Sequence, residues 1–181
     1  MTPSLPPEFR RIVVIGAGTM GSGIAAHMAN LGFQVTLLDR TPEIAREAFQ
    51  RAMTVKPPHF YLPATSDTLT VGGLEEHLTD IAKADWVCEA IVEKPDAKKA
   101  LYEKLDGLIR EDAFISTNTS GLQISLLAEG RSESFRSRFL GSHFFNPPRY
   151  LKLLELIPTP ETHPAVVEAL TRLLNLDAAR R

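Results

Sequence analysis

Apolar residues fall into two alternating rhythms along this chain, short unbroken runs and positions repeated every third or fourth residue. Ile12, Val13, Val14 and Ile15 are consecutive and mostly β-branched, which predicts a strand buried on both faces over residues 11–16. Met20, Ile24, Met28 and Leu31 then recur at helical spacing, and Gly32 supplies the stop. Residues 35–38 read as a second strand ending in Asp39. Thr41 and Pro42 read as a cap and first-turn proline ahead of a helix over 44–53.

From 54 to 66 the pattern dissolves into "TVKPPHFYLPATS", whose three prolines speak against a regular element. A short strand follows at 69–71, then a helical piece near 74–82. "ADWVCEAIVE" predicts another buried strand over 84–93, and Pro95 opens a helix carrying Ala97, Leu101, Leu105 and Leu108. "AFISTNTS" is the next strand and its turn, with a helix containing Leu122, Leu126 and Leu127 after it. Residues 139–145 and 151–157 predict two closing strands, and 164–176 a last helix. Strand and helix alternate through most of the chain, which implies an α/β fold: a Rossmann-like, doubly wound, mostly parallel sheet with two closing strands near the C-terminus.

Composition narrows the function classes. The 181 residues suit one domain with a single core, 44% hydrophobic and 23% charged. A net charge of −2 without a basic block argues against nucleic acid as a partner. Cys88 is the sole cysteine, so neither a disulfide framework nor a thiolate metal site is expected, and no metal site is assigned; an inert buried thiol is the simplest reading. Residues 12–33 carry little charge, but Gly16, Gly18, Gly21, Gly23 and His27 break any membrane span. The start "MTPSLPPEFRR" lacks the apolar stretch of a secretory signal, so a cytoplasmic location is expected.

"VVIGAGTMGSG" places Gly16, Gly18 and Gly21 in G-x-G-x-x-G spacing, with Thr19 and Met20 between the last two. That spacing alone is weak. Here it follows a strand, opens a helix, and has Asp39 at the end of the second strand, the context a dinucleotide-binding loop requires. Gly16 would permit the tight turn, Gly18 the approach of a pyrophosphate, and Gly21 close helix packing. Asp39 would accept from an adenosine ribose and repel a 2′-phosphate, favouring NAD over NADP, although Arg40 beside it could partly accommodate that phosphate.

Ligands in open α/β sheets bind beyond the carboxyl ends of the strands, so polar residues there come next. Glu93 follows the fourth strand and Lys98 the start of its helix; a solvated helix start with a surface ion pair is the competing reading. Asn118 and Ser120 follow the fifth strand, where turn or cap chemistry would also explain a serine. His143 ends the sixth, and Asn146 precedes Pro147 and Pro148. Glu155 interrupts the apolar run of the last strand, and a buried carboxylate is costly unless paired. Two prolines force a reversal, so Glu155 could lie beside His143 and fix its tautomer, leaving His143 as a general base.

These residues resemble the N-terminal NAD-binding domain of the L-3-hydroxyacyl-CoA dehydrogenases of fatty-acid β-oxidation. "IGAGTMGSGIAAHMA", "VTLLDR", "EAIVEKPDAKKALYEKL", "STNTSGLQIS" and "GSHFFNPPRYLKLLELIP" all match, in family order. The resemblance implies oxidation of a 3-hydroxyacyl-CoA to the 3-ketoacyl-CoA with NAD as hydride acceptor. It implies His143 as base, Glu155 as its partner, and Ser120 as the group that hydrogen-bonds the substrate oxygen. Asn146, Glu93 and Lys98 then fall on the nicotinamide side, and Asp39 on the adenosine ribose.

The resemblance is to the subgroup often fused to an enoyl-CoA hydratase. It implies that residues 1–181 form the NAD-binding domain, with the family's helical C-terminal domain, which supplies dimer contacts and part of the acyl site, lying beyond "NLDAARR". A homo-oligomer is expected for the full-length protein. The proline-rich 54–66 segment stands where relatives carry a helical hairpin touching CoA, so CoA contacts do not transfer there, and Lys56 is a guess for one. A dehydrogenase of a free hydroxy acid or sugar acid, or a fragment holding NAD without turnover, is the alternative.

Overall fold

The computed structural model describes residues 9–151 and 153–178. Within them seven strands form one sheet in the order β3-β2-β1-β4-β5-β6-β7. These are β1 (Arg11–Ile15), β2 (Gln34–Asp39), β3 (Leu69–Gly73), β4 (Trp86–Glu89), β5 (Phe114–Thr117), β6 (Phe139–Phe144) and β7 (Leu154–Pro158). The first six are parallel, and β7 turns back antiparallel to β6. Chain order reverses between β1 and β4, which opens a crevice at the carboxyl ends of those strands.

The unbroken apolar run of β1 has a two-sided cause. Ile12 and Val14 point to one layer, Val13 and Ile15 to the other. The first layer holds α1 (Thr19–Asn30), α2 (Pro42–Thr54) and α7 (Pro164–Ala178), packed on Val35, Trp86 and Phe114. The second holds α3 (Leu78–Lys83), α4 (Pro95–Leu105), α5 (Ile124–Leu127) and α6 (Glu133–Ser137), with Leu101, Tyr102, Leu105 and Phe135 against Val87 and Ile115. Each such side chain contributes roughly 1.5–3 kcal/mol on full burial. The doubly wound expectation therefore holds, closing antiparallel pair included.

Boundaries differ where a local bond intervenes. β4 was expected to continue to residue 93 but ends at Glu89, whose own carboxylate takes the amide of Ile91 at 2.7 Å and curls the chain. β7 begins at Leu154 because the amides of Tyr150 and Leu151 both turn back to the Pro147 carbonyl. Pro63–Thr68 forms a 3-10 helix that begins inside the stretch expected to be irregular and runs past its end. Helix α6 has no counterpart in the sequence reading; Ser132 caps it by accepting from the Phe135 amide.

Candidate active site

The carboxyl ends of β1, β2, β4, β5 and β6 surround one cleft of about 1270 Å³. Gly16 leaves β1 at φ +106, a conformation glycine alone adopts cheaply, and its amide donates to Leu38. A Cβ there would stand 2.5 Å from the Ala90 carbonyl oxygen, and one on Gly21 would stand 1.7 Å from that of Gly16. Both glycines are demanded by the chain's own packing. Gly18 is different: a Cβ there would meet no protein atom within 4 Å. It caps α1, whose first turn carries no acid, so the free amides and the positive end of the helix face the cleft unopposed. Thr19 and Met20 line the same opening.

Asp39 ties the end of β2 to this loop. Its Oδ2 accepts from the Ala17 amide at 2.6 Å and its Oδ1 from the Arg40 amide at 2.7 Å. Each oxygen keeps a lone pair for a further donor. Asp39 and Arg40 lie side by side on the cleft wall. These groups fit the two ends of a dinucleotide, the pyrophosphate over Gly18 and a ribose at Asp39.

At the opposite end, β6 and β7 put His143 directly across from Glu155. The Nδ1 to Oε2 distance is 2.8 Å. An ionised carboxylate only accepts, so Nδ1 carries the proton, and in the neutral imidazole Nε2 then presents its lone pair. The imidazole also packs on Phe145, ring centres 4.5 Å apart. His143 is one-fifth exposed and Glu155 half exposed. The expected buried carboxylate is thus not Glu155; its pairing with His143 rests on strand register.

The carboxylate that is buried is Glu89, which the sequence reading passed over. It is fully enclosed and accepts from Lys98, Tyr102, Thr117 and the Ile91 amide. Lys98 is fully enclosed with it, so neither the solvated helix start nor a direct reach into the cleft describes this residue. Glu93 does line the cleft, and its Oε1 holds the Thr119 hydroxyl and the amides of Ser120 and Gly121. Desolvation pushes its carboxyl up, but Thr119, Lys98 and the two amides outweigh it and hold Glu93 below its ordinary range.

The cleft therefore gathers Gly16, Gly18, Thr19, Met20, Asp39, Arg40, Glu93, Ser120, His143 and Asn146. Gly21 lies beneath it, Glu155 stands behind His143, and Lys56 is exposed and outside it. Asn118 also faces it while accepting from the Phe144 amide, which clips the β5 turn to β6. Cys88 is buried, and burial pushes its thiol up to about 11, as an inert core position requires. Among the described residues no cluster of three or more metal-ligating side chains occurs, and no helix is long and apolar enough to cross a membrane.

Sheet order, glycine loop and cleft define a Rossmann-type dinucleotide-binding domain. Residues 11–176 match the family model described as "3-hydroxyacyl-CoA dehydrogenase, NAD binding domain". The "Probable 3-hydroxyacyl-CoA dehydrogenase" of Deinococcus radiodurans is 46% identical over 168 residues, 89% of this chain and 49% of that protein. A Rickettsia felis protein bearing the name "fatty acid oxidation complex trifunctional enzyme" is 43% identical over 157 residues, 83% of this chain and 22% of its own. Among solved structures, 3-hydroxybutyryl-CoA dehydrogenase from Escherichia coli superposes with a TM-score of 0.79 at 32% identity, covering 94% of this chain and 37% of that one. The chain belongs to the NAD-binding domain family of the 3-hydroxyacyl-CoA dehydrogenases. It spans about half the length of the Deinococcus relative and less of the other two.

Proposed function

We propose that this chain is the cofactor half of an enzyme that oxidises L-3-hydroxyacyl-CoA to 3-ketoacyl-CoA in fatty-acid β-oxidation. The observation that carries the reading is the His143–Glu155 pair, set on the same cleft as the Gly16–Gly18 loop. His143 Nε2 takes the proton of the substrate hydroxyl while Glu155 keeps Nδ1 protonated and the ring in place. Ser120 hydrogen-bonds the same substrate oxygen as it becomes a carbonyl. Bound NAD supplies the acceptor for the hydride that leaves the carbinol carbon.

The residues assigned to the cofactor follow the same geometry. The α1 N-terminus, with Gly16, Gly18, Thr19, Met20 and Gly21, holds the pyrophosphate, and Asp39 and Arg40 take the adenosine ribose end. Glu93 and Asn146 line the nicotinamide end, Lys98 supporting Glu93 from behind.

Residues 1–181 then form one domain, and the helical partner domain of the family completes the acyl site. Tyr150, Leu151 and Leu153, exposed by 43%, 47% and 54% beside the His143 strand, form the surface that domain would cover. A homo-oligomer and a fused enoyl-CoA hydratase complete the assembly; the Rickettsia relative's name, a trifunctional enzyme, fits fusion to further activities. The cytoplasm is the setting proposed for it.

The test is NAD reduction by the full-length protein with L-3-hydroxybutyryl-CoA and, beside it, free L-3-hydroxybutyrate. Turnover confined to the thioester supports the proposal. Turnover of the free acid alone would overturn it in favour of a hydroxy-acid dehydrogenase.

A further inference from the structure

The proposed chemistry leaves a buried ionic cluster unused behind the cleft. Lys98 Nζ donates to Glu89 Oε1 at 2.6 Å and stands 3.4 Å from Glu93 Oε2. One ammonium therefore spans a carboxylate with no exposed surface and another whose side chain is 40% exposed at the cleft. The rest of Glu89 is filled by the Ile91 amide and the Thr117 hydroxyl, each at 2.7 Å, and by the Tyr102 hydroxyl. Every partner of the buried carboxylate is thus supplied by the chain.

Buried ion pairs are poor devices for stability, because packed apolar groups often serve as well or better. What this pair does supply is geometry. Glu89 sits at the last residue of β4, so it holds Lys98 against a fully buried strand in the middle of the sheet. Lys98 in turn faces Glu93, and Glu93 Oε1 takes the amides of Ser120 at 3.2 Å and Gly121 at 3.4 Å together with the Thr119 hydroxyl. Without the ammonium, the like charges of Glu89 and Glu93 would lose the cation they share.

We propose that Glu89 and Lys98 are positioning residues: they fix Glu93, and Glu93 fixes the backbone of 119–121 so that Ser120 is presented at the cleft. The importance of Ser120 rests on the function proposed above; the ordering of its loop does not. The family resemblance implies Lys98 on the nicotinamide side, and its complete burial adds this supporting part.

The test is residue-resolved amide hydrogen exchange on the full-length protein, wild type and Lys98→Met, with kcat and NAD affinity measured alongside. The expected result is exchange at Ser120 and Gly121 faster by about tenfold or more, with the amides of β1 and β5 at wild-type rates. Turnover falls, and NAD affinity weakens with it as Glu93 loses its fixed place at the nicotinamide end. Glu93→Gln, at a partly exposed position, gives the same local loosening and decides the matter if Lys98→Met does not fold. Unchanged exchange at Ser120 and Gly121, or acceleration spread evenly through the domain, would overturn the proposal. A wild-type enzyme inert toward acyl-CoA would sink the functional reading while leaving the exchange result to judge the network. Ser120→Ala impairing turnover while Lys98→Met leaves both loop and turnover intact would do the reverse.

Discussion

His143 on β6 and Glu155 on β7 face each other as a register pair of the sheet's one antiparallel ladder among the described residues, 2.8 Å from Nδ1 to Oε2. Twelve residues of chain separate them, and the reversal at Pro147 and Pro148 brings them together. A slip of one residue in that ladder would turn Glu155 to the other face of the sheet and leave the imidazole without its acceptor.

Glu155→Gln should therefore cost turnover with little effect on stability. The pair is half exposed on the Glu155 side, where an ion pair is worth about 0–1 kcal/mol. A glutamine can still bond Nδ1 but can also present its amide to the unprotonated nitrogen, so the tautomer is no longer fixed. Steady-state kinetics should show a fall in kcat beside a melting temperature close to wild type. A large loss of stability with unchanged kcat would contradict the assigned role.

The glycines of the loop should separate into two kinds. Gly21→Ala drives a Cβ into the Gly16 carbonyl, so it should lower the melting temperature sharply or prevent folding. Gly18→Ala meets no protein atom and keeps an ordinary negative φ of −70, so the domain should fold at near wild-type stability. Its NADH affinity, read by fluorescence titration, should nevertheless drop by about tenfold or more, because the methyl occupies the approach to the loop amides.

Cys88 sets a test at high pH. The folded thiol lies at about 11 and an unfolded one near its ordinary value of about 8.5, so folding favours the protonated form. That stabilisation is complete below the unfolded value and is lost as pH rises from there through the folded one. Urea midpoints of Cys88→Ala should consequently fall less steeply than wild type between those two values. A thiol reagent added to native protein at pH 8 should find Cys88 unreactive; rapid labelling of the folded protein would contradict its burial.

Arg149 pins the proline-rich segment that follows α2. Its Nη1 donates to the carbonyls of Pro58 and Phe60, both at 2.7 Å, and its guanidinium lies over the ring of Tyr61. Losing these contacts in Arg149→Ala should cost about 1–3 kcal/mol. Limited proteolysis should then cut within residues 55–62 before the rest of the domain opens. Resistance equal to wild type would show that other contacts hold the segment.

What the sequence disclosed, and what it hid, follows from how local each cause is. The strand–helix alternation depends on neighbours a few residues away, and that local context was enough to place the glycine loop after the first strand and Asp39 at the end of the second. The His143–Glu155 pair was legible because two prolines dictate the reversal, yet the reason first given for it was misplaced. A buried acid in need of a partner does exist, but it is Glu89, whose partners Lys98, Tyr102 and Thr117 lie 9, 13 and 28 residues away. The same cost of burying a carboxylate, applied to the glutamate that ends "ADWVCE", would have found it. The cap of α6 at Ser132 and the Arg149 clamp were hidden for different reasons. The first is a helix of five residues with little periodicity; the second joins segments some ninety residues apart.

The measurement that bears most directly on the central claim is acetoacetyl-CoA-dependent NADH oxidation by the full-length protein and its His143→Ala variant, with NADH affinity titrated on both. A positioned base contributes about 10²–10⁴-fold, so the variant should lose turnover by that factor while binding NADH as wild type does. Equal turnover in the two proteins, or a loss of turnover that merely follows a loss of NADH binding, would show that His143 is not the base and would contradict the account.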